Sequence, residues 1–93
     1  PESLVHEYWK RWYARRLEGE GYRVKLEAPR VGGRVDVLAL KGGKQTAIEV
    51  ETGKSNVVAN VKKCLRSDFD KIFIVATDEP ALLKVQRALA TVG

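Results

Sequence analysis

Apolar and polar positions change period along the chain, and the changes mark out its elements. Residues 3–18, SLVHEYWKRWYARRLE, set Leu4, Val5, Tyr8, Trp9, Trp12, Tyr13 and Leu17 at helical spacing. Ser3 is the expected N-cap, and Gly19 and Gly21 close the helix. Residues 22–27 alternate as a strand that Ala28-Pro29 is expected to stop. A turn at Gly32-Gly33 leads to RVDVLAL at 34–40, a second strand. Gly42-Gly43 then turns the chain as a hairpin would, into QTAIEVE at 45–51, a third. From a cap at Ser55, a helix runs to about residue 66, with Val57, Val58, Val61, Cys64 and Leu65 on one side. KIFIVAT at 71–77 is apolar on both faces and is expected to be a central strand covered on both sides. Asp78 caps a last helix with Pro80 in its first turn. The order α-β-β-β-α-β-α predicts an α/β domain, a mixed sheet with helices packed on it.

Ninety-three residues suit one small domain with a modest core. The chain opens at Pro1 and enters a helical pattern at once, so a domain excised from a longer protein is expected. No apolar run reaches the length of a membrane span, and no secretory signal pattern opens the chain. A lone Cys64 cannot make an internal disulfide, which fits a reducing, cytoplasmic setting. The net charge of +5 and a pI near 9.6 suit either a polyanionic partner, most often nucleic acid, or simple solubility.

Two chemistries overlap in IEVETGKS at 48–55. TGKS resembles the end of a phosphate-binding loop, but the Gly that this motif needs five residues before its Gly-Lys pair is Ile48. Glu49 and Glu51 would also repel a phosphate there. As a strand, the stretch turns Glu49 and Glu51 to one face. Asp36 lies inside the neighbouring apolar strand, where a carboxylate is unfavourable unless it is paired or bound to a cation. Three carboxylates on two adjacent strands can converge, and such oxygens suit Mg²⁺ or Mn²⁺. The alternative is salt bridging to Arg34, Lys44 or Lys54. Glu7, in the first helix, is either a fourth member or a solvated residue paired with Lys10 or Arg11. His6 reads as a surface or cap residue rather than a ligand. Tyr8, Trp9, Trp12 and Tyr13 can stack on bases, but their spacing reads as core, with Trp9 or Trp12 available to a dimer surface.

The helix with Glu7, then GGRVDVLAL, then AIEVE, then a helix rich in Asn and Lys, resembles the PD-(D/E)XK nuclease superfamily over nearly the whole chain. It is similar to archaeal Holliday-junction resolvases and to nuclease-like domains attached to archaeal and conjugation-type ATPases. The resemblance implies a restriction-endonuclease-like fold and a Mg²⁺- or Mn²⁺-dependent DNA endonuclease. It makes Asp36 and Glu49 metal ligands and Glu7 the holder of a metal-bound water. One position departs from the pattern: Glu51 stands where the family has Lys. With Glu51 as a third ligand, the positive charge falls to Lys54 or Lys63. Asn56, Asn60 and Lys63 share the flank of the second helix that faces the site in that family, whereas Lys62 reads as a surface charge. Arg15, Arg16, Arg30 and Arg34 are candidates for phosphate contacts on DNA. The rivals are a catalytically degenerate DNA-binding module and a dimerisation module of a larger ATPase.

Overall fold

The computed structural model describes residues 3–30 and 33–92. Its elements are α1 (Leu4–Gly19), β1 (Arg23–Arg30), β2 (Gly33–Lys41), β3 (Lys44–Glu51), α2 (Val57–Arg66), β4 (Lys71–Ala76) and α3 (Glu79–Val92), in the expected order. The four strands form one sheet in the order β1-β2-β3-β4. β1, β2 and β3 are antiparallel neighbours, and β4 runs parallel to β3. A parallel partner needs a crossover connection, which α2 supplies. The β2–β3 hairpin closes at Lys41↔Lys44. Its two loop residues, Gly42 and Gly43, have φ of +59° and +77°, as a two-residue turn that follows the sheet twist requires. Of the turn expected at Gly32-Gly33, Gly32 lies outside the described residues.

Strand alternation divides the core between two faces. Val24, Val37, Ile48 and Val75 face α1 and pack with Ala14, Tyr13 and Leu17. Leu38, Leu40, Ala47 and Ile72 face the opposite way, toward Cys64 of α2. Ile74 joins Val57, Val61, Val85 and Ala88 where α2 meets α3. Each fully buried valine contributes roughly 1.5–3 kcal/mol, and the small side chains of α2 and α3 let these helices approach the sheet closely.

Four expectations change. Ala28-Pro29 does not stop β1: Ala28 pairs with Val35 and Pro29 with Arg34, because β1 is an edge strand and an edge tolerates a missing N–H. β4 is also an edge, not a central strand, and Phe73 is 52% exposed. The aromatic residues of α1 are only partly its inner face: Tyr13 packs on the core. Lys10 and Ala14 are the buried residues of that helix, while Tyr8 is 60% exposed and Trp12 is exposed as well. On α2 the buried stripe narrows to Val57, Val61 and Cys64, with Val58 and Leu65 exposed.

Candidate functional site

The regular pairing of β2 with β3 ends at Val37↔Ile48. One step beyond, side chains take over from the ladder. The Asp36 N–H donates to Glu49 Oε1 at 2.9 Å, and the Val50 N–H donates to Asp36 Oδ2 at 2.8 Å. Backbone donors that would otherwise be buried without partners are thus satisfied by the two carboxylates. The opposite neighbour is irregular at the same level. Glu27, between the Leu26↔Val37 and Ala28↔Val35 pairs, has φ of +54°. Val35 and Val37, two residues apart, belong to different core clusters. The sheet is therefore locally deformed around Asp36.

These contacts open a pocket of about 350 Å³ lined by Asp36, Glu49, Glu51, Lys54 and Lys63, with Ser3 and His6 of the α1 N-terminus at its rim. Burial, and next the charge of Glu49, push the Asp36 carboxyl up to about 7. The Val50 N–H and His6 act in the opposite direction. Glu49 is buried, and its Oε2 lies 2.6 Å from the Lys63 ammonium. Lys63 also donates to the carbonyl of Arg34, so it ties α2 to the start of β2. Cys64 Sγ stands 4.0 Å from Glu49 Oε2. Burial first and Glu49 second push its thiol up to about 12, so it stays protonated and unreactive at neutral pH.

Glu51 is 1% exposed, and α2 and its approach take up both of its oxygens. Asn60 Nδ2 donates to Oε1 at 2.7 Å, and Ser55 Oγ to Oε2 at 3.2 Å. Ser55 is therefore not the cap of α2. That role falls to Asn56, whose side chain accepts from the Ala59 N–H. The TGKS segment has a structural reason of its own. Gly53 has φ of +85°, a Cβ there would meet Ala81 Cα at 3.3 Å, and its carbonyl accepts from Lys84 Nζ at 2.7 Å. The loop is clamped onto α3, and its exposed Lys54 reaches the pocket.

The structure thus gathers Asp36, Glu49, Glu51, Lys54, Lys63 and Asn60 around one pocket. Glu7 is not brought there. It bonds Lys10 at 2.9 Å and Arg11 at 3.2 Å and faces a separate surface hollow with Glu27 and Arg34. Nor do the four arginines line the acidic pocket. Arg15 is exposed on α1, and Arg16 pairs with Glu20. Arg30 donates to Pro29 O and Gln45. Arg34 is 3.9 Å from Glu27. His6 is the residue that sequence reasoning passed over: its Nε2 lies 3.1 Å from Asp36 Oδ2. Spacing of four, four and three places His6, Lys10, Ala14 and Leu17 on one helix face, but with a His and a Lys in it nothing along the chain marks that face as the inner one.

Among the described residues, no three His, Cys, Asp or Glu side chains converge as a ready-made metal cage. Asp36 and Glu49 stand together as a pair, and Glu51 is turned to Asn60 and Ser55. Compared with models of known protein families, with curated proteins and with solved structures, the chain matches none.

Proposed function

We propose that this pocket hydrolyses phosphodiester bonds in DNA, on a restriction-endonuclease-like fold, with Mg²⁺ or Mn²⁺ as cofactor. The observation that carries it is the meeting of Asp36 and Glu49 from adjacent strands with the Lys63 ammonium in one open pocket. The donor set fits such an ion: Mg²⁺ typically takes one or two carboxylates and keeps several waters, so Asp36 and Glu49 suffice. When bound, the ion would polarise the phosphate and activate a water. Glu51 then anchors α2 rather than acting as a third ligand. Lys63 supplies the positive charge that the family places at position 51, from a different element, and Lys54 at the rim contacts the DNA backbone. Cutting both strands of a duplex calls for two such sites, so a second copy of the domain, or a larger ATPase that pairs it, belongs to this proposal.

One observation favours a non-cleaving DNA-binding module instead. Lys63 already neutralises Glu49, as a metal ion would. A nicking assay on duplex, single-stranded and branched DNA decides between them. Cleavage that needs Mg²⁺ or Mn²⁺ and disappears in Asp36→Ala is the expected result. Salt-sensitive DNA binding with no cleavage under any metal would leave the binding module standing.

A further inference from the structure

We propose that His6 is a positioning residue for the metal centre, acting through Asp36; this rests on the metal-dependent function above. Ser3 caps α1, and its side chain accepts the His6 N–H at 3.1 Å. The cap sets the first helical turn against β2, with the imidazole at the pocket rim. From there Nε2 lies 3.1 Å from Asp36 Oδ2, and both side chains are largely buried. The same oxygen accepts the Val50 N–H at 2.8 Å. A backbone N–H and an imidazole, from two different elements, thus both bond Oδ2 and hold the Asp36 side chain in place. With Oδ2 so held, the Asp36 carboxyl group keeps one orientation before any ion arrives. A hydrogen-bonded outer partner of this kind typically sets metal affinity by about 10–100-fold.

Two variants of like chemistry and different reach separate the possibilities. In His6→Gln the side-chain amide reaches the place of Nε2. In His6→Asn it stops near the place of Nδ1. Mn²⁺ titration by calorimetry, with unfolding midpoints measured alongside, is the experiment. The expected result is a roughly tenfold weaker Mn²⁺ affinity in His6→Asn and near wild-type affinity in His6→Gln. Equal affinity in all three proteins would overturn the positioning role while leaving the metal site intact. Loss in both variants would make His6 a direct ligand and overturn it too. If the wild-type protein binds no Mn²⁺, the metal-dependent function fails, and the role of His6 fails with it.

Discussion

The Lys63 ammonium sits 2.6 Å from Glu49 Oε2, joining α2 to β3 inside the acidic pocket. An ammonium in that position does two opposing things. On the proposed function it would compete with a divalent cation for Glu49, and it would offer a charge to a phosphate undergoing attack. Lys63→Met is therefore expected to bind Mn²⁺ at least as tightly as the wild type while cleaving DNA about 100-fold more slowly, the usual loss for one stabilising donor. Lys54→Ala, at the exposed rim, is expected to lose far less. Parallel calorimetry and single-turnover cleavage check both; a Lys63→Met protein that cuts at the wild-type rate removes Lys63 from the mechanism.

Asp36 links the site to pH. Its folded value of about 7 lies above the ordinary carboxylate value of 3.8. Between those limits the folded state holds the extra proton, so its stability falls as pH rises from about 4 to 7. Above 7 the ionised group is buried beside Glu49. Asp36→Asn keeps an acceptor for Val50 and His6 but removes the charge. It is expected to be more stable than the wild type at pH 8, by roughly 1–3 kcal/mol, with the gap closing toward pH 5. Urea unfolding at the two pH values tests this, and a gap that widens at low pH contradicts it.

Gly53 ties the loop before α2 to α3. A methyl group there must enter a left-handed backbone conformation and press on Ala81. Gly53→Ala is expected to lower stability by about 1–3 kcal/mol, measured by thermal or denaturant unfolding. An unchanged midpoint would show that the loop moves freely off α3.

Lys10 is 3% exposed and lies between Glu7 and Glu27. Its loss leaves two carboxylates close together under α1. Lys10→Met is expected to destabilise by about 2 kcal/mol, less than a fully buried pair because both glutamates reach water. Adding Glu27→Gln should recover part of that loss, and strictly additive effects in the double-mutant cycle would deny the coupling.

Much of this protein is determined locally and is therefore legible in its sequence. Gly42-Gly43 dictates the hairpin, Ser3 and Asp78 cap α1 and α3, and the period-two pattern puts Glu49 and Glu51 on one face. These features depend on neighbours a few residues away, where backbone sterics and short hydrogen bonds decide. What lies across from each face depends on packing between distant segments. Only the tertiary structure shows that Lys10, not the tryptophans, turns inward on α1. The apolar positions of that helix go most of the way round it, so periodicity does not choose among its faces. Only the structure shows that β4 is an edge, since strand order follows from which strands pair and not from composition. The division between the two glutamates was equally hidden. Glu49 meets Lys63 and Glu51 meets Asn60 because Val57, Val61 and Cys64 seat α2 at one rotation over the sheet. That rotation is set by the fit of buried side chains, which no spacing along the chain encodes.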